Sequence, residues 1–178
     1  MYEVEVKIKV DEEEILRIKE SIEKLGFKKI YEEFHHDFYF KHPCRDFKKR
    51  DEALRVRILN DDRCIVSYKG PRMRGDGFKV REEINTYADV NVKELLMKLG
   101  FIQIAELKKF REVYKKEGVS LSIDDVEGLG RYIEIETLTK ESDFRDPREK
   151  INDLIEKLGL KRKNIIRKTY LEMVLKDP

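Results

Sequence analysis

The chain has 178 residues, and 43% of them are Asp, Glu, Lys or Arg, yet the formal net charge is only +2. Charge so dense and so balanced argues against a dedicated nucleic-acid binder, which carries a basic excess. No apolar run approaches the roughly 18 residues of a membrane-spanning helix, and no signal-peptide pattern opens the chain. Length and the lack of a long linker fit one domain over residues 1–178. Abundant Lys and Glu fit a protein from a hot environment. Cys44 and Cys64 form no CxxC pair and read as free thiols of a cytoplasmic protein.

The first element is "MYEVEVKIKV", which places Tyr2, Val4, Val6, Ile8 and Val10 on one side and Glu3, Glu5, Lys7 and Lys9 on the other, the period of a β-strand. "DEEEILRIKESIEKLGF" follows, then "NVKELLMKLGF" and "DPREKINDLIEKLGL" further on. Each opens with a capping-box pattern, Asp11 with Glu14, Asn91 with Glu94 and Asp146 with Glu149, and Pro147 takes the first helical position. Each carries one apolar stripe: Ile15, Ile18, Ile22 and Leu25; Val92, Leu95, Leu96 and Leu99; Ile151, Leu154, Ile155 and Leu158. Gly26, Gly100 and Gly159 are placed to end the helices in the left-handed conformation, and an extended segment is expected after each.

Between the helices, "ALRVRI", "RCIVSYKG", "FKVREEI", "KKFREVY", "LSIDDV" and "RYIEIET" alternate, with hairpin signals at "NDD" after Asn60, "RGDG" around Asp76 and "KEG" before Val119. The count is about eight antiparallel strands and three helices, an α+β pattern. So many strands in one small domain imply a closed or nearly closed barrel with the amphipathic helices packed outside.

The polar strand faces carry Glu3, Glu5, Glu83, Asp124, Glu134 and Glu136 against Lys7, Arg55, Arg57, Lys69, Arg81, Lys109 and Arg111, with Lys168 near the end of the chain. For one strand alone, water is the ordinary neighbour of such a face. Here like charges recur at i and i+2, about 7 Å apart, as Glu3/Glu5, Glu134/Glu136, Arg55/Arg57 and Lys109/Arg111. Facing one another across a lumen, the carboxylates could hold Mg²⁺ or Mn²⁺ and the cations could clamp phosphate oxygens. The apolar faces would then point outward under the helices.

His35, His36 and His42 cluster near Cys44, but nothing completes a zinc set, and packing at the surface or the mouth of the barrel accounts for them. Asp37 and Tyr39 alternate with Phe38 and Phe40 and so point toward the lumen. "RDFKKR" and "PRMRGDGFK" read as basic loops, solvated or closing over an anion. No GxxxxGK[ST] loop and no GxGxxG after a strand occurs.

The ordered blocks "EVEVK", "HDFYF", "DEALRVRI", "YKGP", "KVREE", "KKFR", "DDVEGLGRYIEIE" and "KTYLEMVL" resemble the CYTH superfamily of class IV (CyaB-type) adenylyl cyclase and thiamine triphosphatase, and most of all its class IV cyclase branch. The resemblance implies an eight-stranded triphosphate tunnel. It implies metal carboxylates at Glu3, Glu5, Glu134 and Glu136 with Asp124 as helper. The implied phosphate cations are Lys7, Arg55, Arg57, Lys69, Arg81, Lys109, Arg111 and, by a looser match, Lys168. The implied catalytic set is Lys7, Arg57, Glu134 and Glu136. The expectation is a Mg²⁺- or Mn²⁺-dependent enzyme that converts ATP to cyclic AMP and pyrophosphate, or else a triphosphatase. A non-catalytic nucleotide or polyphosphate sensor is the third reading. The expected partner is a small triphosphate, without nucleic acid or membrane, and a homodimer is left open.

Overall fold

The computed structural model of the chain describes residues 2–60, 63–73, 78–139 and 145–176. Strand β1 (Tyr2–Val10) alternates as its sequence requires, but both of its faces are buried except at Lys9. Val4, Val6, Ile8 and Val10 lie in the largest apolar cluster, while Glu3, Glu5 and Lys7 are buried on the opposite side. That arrangement needs an apolar layer outside the sheet and an enclosed polar space within it.

Along the chain, β1 is followed by α1 (Glu12–Lys24), β2 (Lys28–Lys41), β3 (Ala53–Ile58), β4 (Cys64–Lys69) and β5 (Lys79–Ala88). Then come α2 (Val92–Lys98), β6 (Ile102–Lys116), β7 (Val119–Val126), β8 (Gly130–Thr139), α3 (Arg145–Lys157), a 3₁₀ turn (Arg162–Asn164) and α4 (Tyr170–Val174). The strands form a closed antiparallel barrel in the order β1-β5-β4-β3-β2-β6-β7-β8. Closure is made by β8, which pairs with β1 from Tyr2↔Thr139 to Val10↔Arg131 and sets Glu5 beside Glu136 and Lys7 beside Glu134. The β6–β7 hairpin turns on Glu117 and Gly118, with φ of 47° and 77°, the two positive values that a two-residue type I′ turn demands. The hairpin signals at Asp61–Asp62 and around Asp76 lie outside the described residues.

The helices supply the outer layer. Ile15, Ile18 and Ile22 of α1 and Ile151 and Ile155 of α3, with Leu158 beyond it, pack on the outward faces of β1, β7 and β8. Asp11 and Glu14 form the expected capping box, and Gly26, Gly100 and Gly159 take φ of 80°, 91° and 64°.

Four expectations are corrected. Asn91 does not cap α2: its side chain makes no cap hydrogen bond, because the turn is set two residues earlier, where the Asp89 carboxylate accepts from the Asn91 N–H at 2.9 Å. Asp146 lies inside the first turn of α3, which already includes Arg145. The α2 stripe is shallow, with Leu95 and Leu99 56% and 64% exposed; Val92 and Leu96 only partly cover Phe38, Phe40 and Val56. Among the described residues no strand follows α3, because β1 and β8 already occupy each other's edges. Ile165 makes a single bridge to Ile8, and the chain turns inward as the unexpected helix α4.

Ile18→Ala or Ile151→Ala, at fully buried positions of the α1/α3 cluster, lowers unfolding free energy by about 2–5 kcal/mol. Leu99→Ala changes it by less than about 0.5 kcal/mol. Guanidinium denaturation of the three variants measures the contrast.

Candidate active site

The inward strand positions line a cavity of about 1170 Å³. Glu3, Glu5 and Lys7 come from β1, Arg55 and Arg57 from β3, Lys69 from β4, and Lys79, Arg81 and Glu83 from β5. Lys109 and Arg111 come from β6, and Glu134 and Glu136 from β8. Period-two alternation on these strands brings these groups together; the β2–β6 pairing shifts register at Lys29/Tyr31 and Tyr39/Phe40, and His35 and Asp37 lie in the regular stretch between.

The acids and bases are partly cross-matched. Lys7 Nζ is 3.2 Å from Glu134, Lys79 Nζ donates to Glu5 at 3.1 Å, and Lys69 Nζ donates to Glu3 at 2.9 Å and Glu83 at 2.7 Å. Arg111 also pairs with Glu134. Two acids stand behind the cations with no exposed surface. Asp37 accepts from Arg57 Nε at 2.6 Å and Nη2 at 2.7 Å. Asp124 accepts from Arg111 at 2.6 and 2.5 Å, from Lys109 at 2.8 Å and from the Tyr170 hydroxyl at 2.8 Å.

Other groups are left over. Arg81 is buried and makes no ion pair among the described residues, and neither its Nε nor that of Arg55 has a hydrogen-bond partner. Arg55 is otherwise held through Nη2 to the Ser67 hydroxyl at 3.0 Å. Glu136 lines the cavity without an ion-pair partner among the described residues, and burial together with Glu134 and Glu5 pushes its carboxyl up, with Arg111 partly opposing. Burial also raises Glu3 well above the ordinary value, helped by Glu83 and opposed by Lys69. By contrast, burial of Glu134 is outweighed by Arg111, Lys7 and Lys109, which hold it well below the usual range. Burial, then Lys79, lowers Lys7 to about 8 despite Glu134 and Glu5. Burial, then Arg111, lowers Lys109 to about 7 despite Asp124.

Two expected site residues fall elsewhere. Asp124 is on the inward face, directly across from Arg111 in the β6–β7 register, but it does not line the cavity, because Arg111, Lys109 and Tyr170 cover it and engage its oxygens. Lys168 is exposed and does not line the cavity. It lies where the chain has left the barrel wall, and Tyr170 takes the inward place, with Lys7 Nζ 3.4 Å from its ring centroid. Lys79 belongs to the lining but had no assigned role, although its alternation with Arg81 and Glu83 was a usable signal. Tyr170 had no such signal, because its segment is neither strand nor long helix. The histidines also divide: His35 is buried and lines the lumen, His36 points outward 3.6 Å from Glu106, and His42 sits at the mouth. Both cysteines are free. Among the described residues, no three Asp, Glu, His or Cys side chains converge as a ready metal cage, and no helix is long and apolar enough to cross a membrane.

The mouth near α4 is bound together by Arg72, which donates to Asp51 at 2.8–2.9 Å and to Glu172 at 2.7 and 3.2 Å. The two basic segments thereby meet α4. Residues 74–77 of the second lie outside the described residues.

A closed antiparallel barrel with a lumen of opposed carboxylates and cations defines a charged-tunnel class of protein. The sequence profile of the CYTH domain matches residues 1–170, and the chain belongs to that family. It is 40% identical over 176 residues to a protein of Methanocaldococcus jannaschii named putative adenylate cyclase MJ0240, covering 97% of this chain and 98% of that one. The solved structure of the PH1819 protein from Pyrococcus horikoshii OT3 superposes with a TM-score of 0.86 at 40% identity, covering 99% of each chain. The Hippeastrum protein HpAC1, described as an adenylyl cyclase homologue with dominant triphosphatase activity, shares the fold at 16% identity. Its TM-score is 0.73, over 98% of this chain and 95% of that one.

Burial alone would raise the Asp37 carboxyl, but Arg57 and then Arg55 outweigh it and hold the group well below its ordinary value. A depressed folded-state pKa contributes stability that is fully present above the unfolded value of about 3.9 and is lost as pH falls below it. Asp37→Asn strands the buried Arg57 and costs about 3–5 kcal/mol at neutral pH. The gap from wild type narrows below about pH 4. Guanidinium denaturation of both proteins across that range measures it.

Proposed function

We propose that the chain is a metal-dependent enzyme acting on a triphosphate held in the lumen, and that its reaction is conversion of ATP to cyclic AMP and pyrophosphate. The observation that carries the anion half is a pair of under-satisfied guanidinium groups: buried Arg81, without an ion pair among the described residues, and half-buried Arg55, whose Nε has no partner and whose ion pair with Asp37 is 3.8 Å long. A buried donor without a partner is costly, and phosphate oxygens, which accept from several directions, answer that need. The cyclase assignment is supported by the name of the Methanocaldococcus relative.

The oxygen-donor chemistry of the lumen carboxylates suits a hard divalent cation, although no three of them converge as a ready cage among the described residues. Glu3, Glu5, Glu134 and Glu136 are oxygen ligands on the adjacent strands β1 and β8, and Glu3 and Glu136 are pushed up by burial and crowding, a state that a cation would relieve. Bound there, Mg²⁺ or Mn²⁺ would activate the attacking oxygen and offset phosphate charge.

The chain's own residues do the remaining work. Arg55 and Arg81 donate to the polyphosphate. Arg57 and Arg111, fixed by Asp37 and Asp124, keep their guanidinium planes oriented before the substrate arrives, so little reorganisation accompanies reaction. Lys7 and Lys109 gain full charge beside an arriving polyanion, which favours their protonated forms. Lys7, Arg57, Glu134 and Glu136 form the proposed catalytic set. Asp124 acts as a positioning residue rather than a metal ligand, since Arg111, Lys109 and Tyr170 occupy its oxygens.

The second reading is hydrolysis of tripolyphosphate, thiamine triphosphate or a nucleoside triphosphate by the same site. It draws support from the shared fold of the Hippeastrum protein. A sensor without chemistry is disfavoured because both acid pairs, Glu3/Glu5 and Glu134/Glu136, are retained.

Purified protein supplied with Mg²⁺ or Mn²⁺ and ATP, tripolyphosphate or thiamine triphosphate, at moderate and high temperature, releases cyclic AMP and pyrophosphate from ATP. Orthophosphate as the product selects the hydrolase instead, and tight binding without turnover overturns both. The Glu3→Gln/Glu5→Gln double variant folds but no longer responds to added Mn²⁺. Unchanged metal-dependent turnover in that variant removes the metal assignment.

A further inference from the structure

His35 lies on β2 with its Cα paired to Lys109 of β6. It is 3% exposed and lines the cavity. Its Nε2 is 3.2 Å from Glu33 Oε2, and Glu33 Oε1 accepts from Arg63 Nη2 at 2.9 Å. A carboxylate only accepts, so Nε2 carries the imidazole proton and donates it to Glu33. Nδ1 is left as a bare lone pair, buried and without a hydrogen-bond partner. The ring is neutral, because burial and then Arg57, Lys109 and Arg111 push its pKa far below that of an ordinary histidine, with only Asp37 in opposition.

Arg57, Lys109 and Arg111 line the same cavity as His35 and act on its ring. All three present N–H groups only, and the carboxylates behind them, Asp37 and Asp124, are taken up in holding them. A phosphate oxygen is an acceptor and gains nothing from Nδ1, whereas a hydroxyl gains a partner. We propose that His35 Nδ1 accepts a hydrogen bond from a sugar hydroxyl of a nucleoside triphosphate whose phosphates lie against this cation wall. His35 then selects a nucleotide over bare polyphosphate. The assignment rests on the triphosphate reading above and names the substrate class within it.

The test is equilibrium binding, without added metal, of ATP, 2′-deoxy-ATP, 3′-deoxy-ATP and tripolyphosphate. It compares wild type with His35→Gln, whose amide reaches Glu33 but leaves nothing at the Nδ1 position. Wild type binds one of the two deoxy analogues about tenfold more weakly than ATP, since a site built for a hydroxyl rejects its absence. His35→Gln binds ATP about tenfold more weakly than wild type, shows no deoxy penalty and keeps its tripolyphosphate affinity, the outcome of a coupled pair. His35→Asn, whose amide oxygen can stand near the Nδ1 position, recovers part of the preference and serves if the glutamine variant is unstable. A deoxy penalty that persists in His35→Gln, or tripolyphosphate affinity that falls in step with ATP, overturns the assignment. If wild type binds ATP and tripolyphosphate but the variants leave their ratio unchanged, only the role of His35 fails. If wild type binds neither, the triphosphate reading fails with it.

Discussion

Asp37 and Asp124 have no exposed surface, and each holds an arginine through two hydrogen bonds. These two chelates are what the lumen depends on. A guanidinium inside a barrel stays there only if part of its charge is answered from the protein side. A carboxylate placed behind it leaves the other edge of the group directed at the cavity. Asp37 lies on β2 directly across from Arg57 on β3, and Asp124 on β7 across from Arg111 on β6. The cation wall is therefore assembled by register, and a one-residue slip in either pair would carry the acids to the outer face.

The same register governs the outside. Once the charged face is enclosed, Val4, Val6, Ile8 and Val10 of β1, Val119, Leu121 and Ile123 of β7, and Ile133 and Ile135 of β8 point away from the axis, so the barrel cannot be stable as a bare sheet. Helices α1 and α3 cover those faces with isoleucine. Helix α4 is built differently: it is too short to cover a sheet, and it is fixed by a capping box between Thr169 and Glu172 and by Arg72 bridging Glu172 to Asp51. Its Tyr170 reaches Asp124, so the end of the chain is tied to the same buried carboxylate that positions Arg111 and Lys109. The α4 end of the barrel and the cation wall are thus coupled through one side chain.

Much of this was legible in the sequence because period two is a strong constraint. "EVEVK" and "YIEIE" could be strands only with their glutamates on one face, and the outward Val and Ile stripe matched the stripes of α1 and α3. What could not be read were features set by register or by contacts remote in sequence. Alternation places Asp124 on the inward side, but only its pairing with Arg111 shows that it stands behind the cations. Tyr170 is a single residue in a five-residue helix, with no periodicity to reveal it. In sequence His35 reads, with the other histidines, as packing at the surface or the mouth; the structure instead buries it in the lumen, its unpaired Nδ1 set by Glu33 and Arg63, the latter across a hairpin. Asn91 misled because a polar residue before an apolar run is the usual cap signal, and Asp89 supplied the turn first.

The distribution of pairing in the lumen is uneven, and the unevenness has a direction. Arg57 and Arg111 are matched, whereas buried Arg81 and half-buried Glu136 make no ion pair of their own among the described residues. A protein selected for stability alone would pair these two groups or remove them. Keeping both means that the empty barrel carries opposite unmet demands on different strands, a donor demand on β5 and a cation demand on β8. In the proposed reading, a metal-bound polyphosphate would meet both at once, with phosphate oxygens at Arg81 and metal at Glu136. Neither an anion alone nor a cation alone would do so. On these grounds the two halves of the site are best understood as one binding unit, in which each component of the ligand makes room electrostatically for the other.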